Sequence, residues 1–330
     1  MKDKKGISLI WLIIIIIAIM IIFSIISVIV INNSNKNGVS SEDTKKGNVS
    51  SKANNYIKDY SSKYVTKMTE DGVPIPKGFT YVTGNKENGV VIKDKKNNEF
   101  VWIPSTEKEY VKDLEFRGVN TNVVDDVLPN GIKDELSDVK KYGGFYIGRY
   151  EATTPDGTKT TKKNLEGVPT CQQGKVVWTD ISYTNAKKSA EKMYSGNNDS
   201  VQSGLLTGKA WDRTCYWIED YITSINPLSS LRTSTYYGNY NSSKSPADVE
   251  GHGEKQVAGY SEKWSTKNIN DLAGNVYEFT NELRQGGAPV GRGGYFANGF
   301  TSVSSSFDLQ DTDYTFFGAG FRIRLYIKID

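Results

Sequence analysis

The chain opens with an apolar run, Ile7 to Ile31, that contains no charged residue. A helix of these 25 residues would be about 37 Å long, enough to cross a hydrocarbon core of about 30 Å with some tilt. Lys2, Lys4 and Lys5 precede the run, and the positive-inside rule keeps residues 1–6 cytoplasmic as a basic leader. Residues 7–31 are therefore expected as one transmembrane helix, with everything after Ile31 outside the cell. A cleaved secretory signal fits less well, because the run exceeds a usual h-region and no A-x-A site follows it. Residues 32–70 are rich in Ser, Asn and Lys and cannot bury enough surface to fold alone, so a flexible extracellular linker is expected. Within it, Tyr56, Tyr60, Tyr64 and Met68 recur at helical spacing and predict a weak helix.

Past Gly72 the pattern changes to short apolar runs broken by turn residues, and the folded domain is expected over 71–330. Thr80-Tyr81-Val82, Val90-Val91-Ile92, Phe100-Val101-Trp102-Ile103 and Gly144 to Glu151 read as strands. The second and third form a hairpin across Asp94 to Asn98. Two helices follow. Ser182 is the expected N-cap of the first, Tyr183, Ala186, Ala190 and Met193 its apolar face, and Gly196 its stop. Thr207 is the expected N-cap of the second, with Trp211, Cys215, Ile218 and Ile222 as a buried stripe. Short strands and Gly-rich loops fill the remainder, and the 31 glycines against nine prolines suit a loop-rich α+β fold.

Charge and rare residues narrow the chemistry. The net charge is +3, of which the leader supplies +2. No basic stripe remains, which argues against a nucleic-acid partner. The single histidine, His252, excludes any site built from two or three His ligands of one chain. The two cysteines, Cys171 and Cys215, leave two readings open: buried free thiols, or a disulfide that an exported location permits.

Several blocks, in order, resemble the formylglycine-generating-enzyme (sulfatase-modifying-factor) family. They are Phe145 to Glu151, Trp178 with the helix after it, Gly208 to Arg213, Asn268 to Thr280, Arg292-Gly293-Gly294 and Gly320-Phe321-Arg322. The stretch Asp271-Leu272-Ala273-Gly274-Asn275-Val276-Tyr277-Glu278-Phe279-Thr280 is similar to the family's D-L-x-G-N-V-W-E-W-T signature. The resemblance implies an irregular C-type-lectin-like α+β domain. It also implies a structural Ca2+ held by the side chains of Asp271 and Glu278 and the carbonyls of Gly274 and Val276, a shell of the oxygen donors calcium takes.

The same resemblance removes the family's known reactions. Active members bind copper through two cysteines just after R-G-G-S-F, and here Asn298 and Val303 stand near those places. A related branch holds iron with three histidines. Neither copper nor iron is therefore expected, and the chain reads as a non-enzyme. The segment that replaces the catalytic one, Tyr295 to Phe317, mixes aromatics with Ser, Asn, Asp and Gly, a composition suited to adaptable recognition. It is similar to the variable region of C-type-lectin proteins diversified by retroelements. Tyr295, Asn298, Phe300, Asp308, Asp311, Asp313 and Tyr314 are the candidate contacts for an extracellular protein or glycan. Two other readings stand beside this one: a divergent enzyme of the family, and a minor pilin-like subunit. The last rests on Lys4 to Ile10, which resembles a type IV prepilin leader cut after Gly6, with Trp11 where that family carries Glu.

Overall fold

A computed structural model describes residues 57–111, 123–124, 128–129, 131–157, 166–225, 237–241, 249–298, 307–308 and 311–330. The expected membrane helix over 7–31, residues 32–56 of the linker, Phe300 and Val303 lie outside the described residues. No helix among the described residues is long and apolar enough to cross a membrane.

Ordered structure begins earlier than the sequence pattern suggested. Ile57–Asp59 (β1), Val65–Thr69 (β2) and Pro74–Pro76 (β3) form a three-stranded antiparallel sheet. This overturns both the helix over Tyr56 to Met68 and a linker reaching residue 70. The helical spacing loses to tertiary pairing: β-branched Val65 and Thr66 favour the extended chain, and Val65 buries in the core. Gly72, at φ 82°, turns the chain into β3. Pro74 and Pro76 sit on an edge strand, where a missing N–H is tolerated.

The main sheet has six antiparallel strands. They are Thr80–Thr83 (β4), Val91–Lys93 (β5), Glu99–Pro104 (β6), Gly144–Gly148 (β8), Val201–Leu205 (β9) and Ile323–Ile327 (β16), in the order β4-β5-β6-β8-β16-β9. The β5–β6 turn is held by Asp94, whose Oδ1 accepts the N–H groups of Lys96 and Asn98 at 2.8 Å each. Alternate residues feed two cores, as a period of two requires. Phe100, Trp102, Tyr146, Ile323 and Leu325 enter one core; Val101, Ile103, Phe145 and Ile147 enter the other. Both faces of the sheet are therefore covered.

The helices do the covering. Tyr183–Lys192 (α2) starts at Ser182, whose Oγ accepts the Asn185 N–H at 3.3 Å, and buries Tyr183, Ala186 and Ala190 in the first core. Gly208–Ile225 (α3) starts at Thr207, whose Oγ1 accepts the Ala210 N–H at 3.2 Å. It buries Ala210, Trp211, Cys215 and Ile218 in the second core. Both sequence-read caps are realised, as are the stripes as far as Met193 and Ile218; the side chain of Ile222 lies outside the described residues. A shorter helix, Ser137–Tyr142 (α1), precedes β8.

A second sheet carries the chemistry of interest. Tyr277–Arg284 (β12) pairs antiparallel with Pro289–Arg292 (β13), which pairs with Phe307–Asp308 (β14). On its other side β12 pairs with Val123–Val124 (β7) and, in parallel, with Ala319–Phe321 (β15). A small hairpin, Ser265–Thr266 (β10) and Ile269–Asn270 (β11), turns at Lys267 and Asn268, both at positive φ as a two-residue type I′ connection demands. The described chain is thus a mixed α+β domain with few helices and several antiparallel sheets.

Candidate functional site

The signature stretch becomes a tight loop between β11 and β12, with Asp271, Gly274 and Asn275 all at left-handed φ. Gly274 has no alternative: a Cβ there would lie 2.2 Å from the Asn239 carbonyl oxygen. Asn275 is the hub. Its Nδ2 donates to Glu151 Oε2 at 2.7 Å, and its Oδ1 accepts from the Gln256 N–H at 2.9 Å and from Asn239 Nδ2 at 3.2 Å. Asp271 Oδ2 accepts the Gly259 N–H at 2.6 Å.

Arg322, just after β15, lies buried behind this loop. Its Nε donates to Glu278 Oε1 at 3.0 Å and Oε2 at 2.9 Å, and its Nη2 to Oε1 at 2.6 Å. Nη2 also donates to the Asn270 carbonyl at 2.8 Å, and Nη1 to the carbonyls of Gly148 and Arg149 at 3.0 and 3.2 Å. Glu151, Asp271 and Glu278 are buried around this guanidinium. Burial, then its carboxylate neighbours, push the Glu151 carboxyl well up. Burial likewise lifts Asp271 to about 7. It raises Glu278 too, against the pull of Arg322.

The sequence-predicted calcium ligands Asp271 and Glu278 do come together, but in a different role. The shell implied by the resemblance uses the Glu278 carboxylate, and that carboxylate is already in direct contact with a permanent positive charge. Among the described residues no group of three or more His, Cys, Asp or Glu could hold a metal ion. The residues as arranged do not fit the expected calcium shell.

A second buried clamp sits at the end of β13. Arg292 Nε donates to Glu282 Oε2 at 2.9 Å and Nη2 to Oε1 at 2.8 Å, with Asp212 of α3 at 3.5 Å. Just beyond, where the resemblance would place a copper-binding cysteine, Asn298 Oδ1 accepts the Tyr295 N–H at 2.9 Å. The true cysteines are elsewhere, and both are free and buried. Cys171 belongs to the first core and Cys215 to the second, on opposite faces of the six-stranded sheet. That separation rules out the disulfide. Burial pushes the Cys171 thiol up to about 12 and the Cys215 thiol well above its usual range. Neither is a ready thiolate. His252 sits in a turn, with Nδ1 3.4 Å from the Tyr240 carbonyl oxygen.

The C-terminal candidate contacts divide into two groups. Tyr295 is half-buried and its ring lies 5.2 Å from Tyr277 and 5.3 Å from both Phe296 and Phe316. Tyr295 and Asn298 are thus part-buried and engaged within the fold. Asp311, Asp313 and Tyr314 are exposed. Asp311 Oδ1 accepts the Asp313 N–H at 2.9 Å. The 311–317 loop is fastened to the start of α2: the Thr312 carbonyl accepts from Thr184 N–H at 3.1 Å and Oγ1 at 3.2 Å, and the Phe316 carbonyl from Asp180 N–H at 3.2 Å. Asp308 pairs with Val290 through its backbone. The candidate contacts omitted Phe317, which is 49% exposed while its ring lies 4.7 Å from Phe316. Its signal was the Phe-Phe pair directly before Gly318.

A cleft of about 470 Å3, unmarked by any sequence motif, is lined by Asp94, Asn98, Thr170, Tyr194 and Asp199. Asp94 Oδ2 there already accepts from Asn98 Nδ2 and the Tyr194 hydroxyl, at 2.8 and 2.6 Å, so its polar wall is occupied by the turn itself.

No protein-family model matches the sequence, and no curated protein matches it. Several solved structures are distantly similar. The crystal structure of CarF aligns with a TM-score of 0.38 at 16% identity, over 63% of this chain and 97% of CarF. Treponema denticola variable protein 1 aligns with a TM-score of 0.37 at 13% identity, over 76% of this chain and 99% of that protein.

Proposed function

We propose that this chain is a non-catalytic, membrane-anchored surface protein with a divergent formylglycine-generating-enzyme-like, C-type-lectin-type domain. It binds an extracellular protein or glycan through the face made by Asp311, Asp313, Tyr314 and Phe317. The observation that carries this reading is the pair of outward aromatics, Tyr314 at 39% and Phe317 at 49% exposure, on a loop fastened to α2. Exposed aromatics on a fixed base offer contact area at low entropic cost, and neighbouring carboxylates and backbone groups supply adaptable hydrogen bonds. The non-catalytic part is supported by the burial of both thiols and by Asn298 in a cysteine's place. The anchor rests on the apolar run over 7–31, which makes the chain resist alkaline carbonate extraction and yield to detergent.

The test screens the full-length chain against a glycan array and a random-peptide phage library. A hit should weaken at least tenfold in the combined D311A, D313A, Y314A and F317A variant, with little change in melting temperature. Hits that keep full affinity in that variant would show that the face is not the site.

A further inference from the structure

We propose that Arg322 is the resident cation of the signature loop and makes the loop's architecture independent of calcium. Two carboxylate oxygens of Glu278 and the carbonyl oxygens of Gly148, Arg149 and Asn270 point at its guanidinium, between 2.6 and 3.2 Å. This is an all-oxygen shell of one carboxylate plus backbone carbonyls, the donor set that a hard divalent ion uses. A guanidinium satisfies it with five fixed N–H donors and a charge that does not titrate away.

The fold delivers the charge by chain connection. β15 runs parallel to β12 with Gly320 opposite Glu278 and Phe321 opposite Phe279. Arg322 follows directly and precedes β16, so its position is set by two sheets at once. A divalent ion drawn to Glu278 would meet this cation in contact with the same carboxylate. It would also lose the Asn270 carbonyl, which already accepts from Arg322. Glu151 and Asp271 each have one oxygen held by another donor, Asn275 Nδ2 and the Gly259 N–H, while Glu151 Oε1 and Asp271 Oδ1 are buried without a hydrogen bond among the described residues. Glu278 therefore has its counter-charge covalently attached, and the loop's integrity does not follow the calcium content of the medium.

The inference does not depend on the ligand-binding reading and is tested separately. The full-length protein is dialysed against buffer containing millimolar calcium and then against calcium-free buffer, and its calcium content is measured by mass spectrometry. Its melting temperature is recorded with millimolar calcium and with excess EGTA. The expected results are no retained stoichiometric calcium and a melting temperature that moves by less than about 1 °C. One calcium retained per chain, or a fall on chelation that Glu278→Gln abolishes, would overturn the proposal. Arg322→Gln supplies the positive arm, because it leaves Glu278 and the three carbonyls without a cation. Calcium should then raise its melting temperature by several degrees, or induce its folding by circular dichroism if it is unfolded without the ion. A variant indifferent to calcium would sink the claim that the arginine stands in a cation's place. The retained-ion measurement on the unaltered protein decides the matter even if Arg322→Gln never folds.

Discussion

Arg292 faces Glu282 at 2.8 Å and Asp212 at 3.5 Å with all three side chains buried. Truncating one partner of such a group leaves the others charged and unsolvated. Arg292→Ala should therefore cost about 3–5 kcal/mol in urea unfolding. Surface Tyr314→Ala, by contrast, should stay within about 0.5 kcal/mol. Asp138 gives a pH signature. It is buried 3.2 Å from Arg324 Nη2, yet burial outweighs that attraction and pushes its carboxyl up from 3.8 to about 6. The folded state then holds this proton more tightly than the unfolded chain does. The contribution of Asp138 to stability is greatest below about pH 4, falls as pH rises to about 6, and is flat above. Asp138→Asn should flatten the profile between about pH 4 and 6, seen in denaturation midpoints across that window. An unchanged slope would mean that Asp138 does not titrate there.

At the scale of elements, the caps and the signature loop have separable costs. Ser182→Ala removes one acceptor at the start of α2 and should cost about 1 kcal/mol. Gly274→Ala meets both a left-handed φ of 76° and the Asn239 carbonyl. It should cost more than about 3 kcal/mol, because strain and overlap add. These elements also show what was readable beforehand. The two long helices announced themselves through caps and stripes, which are local signals. The β5–β6 hairpin did so through alternation and its Asp94 to Asn98 turn. β1 and β2 did not, because their spacing suited a helix and only their pairing with each other, and of β2 with β3, decided otherwise. At the site, Asp271 and Glu278 were recognisable from the loop that joins them. Their partner Arg322 was noted as part of Gly-Phe-Arg, but its reach back across 44 residues to Glu278 is a tertiary fact. The inward role of Tyr295 and Asn298 was hidden for the same reason: composition marks a segment without saying which side chains face out.

Across the whole molecule, the six-stranded sheet separates two cores, and each holds one thiol. Ellman's reagent should find no fast-reacting cysteine in the native protein, and two per chain once it is unfolded; a rapid native reaction would contradict the burial of both. The position of β16 has a consequence for how the protein is made. This strand, Ile323–Ile327, is inserted between β8 and β9, which precede it by more than a hundred residues. Arg322 and Arg324, the counter-charges of Glu278 and Asp138, arrive with it. A ribosome must therefore release nearly all of these residues before either acid is neutralised or the sheet can close. Until then β8 and β9 stand apart with open edges, and nascent chains depend on whatever shields such edges before the last strand arrives.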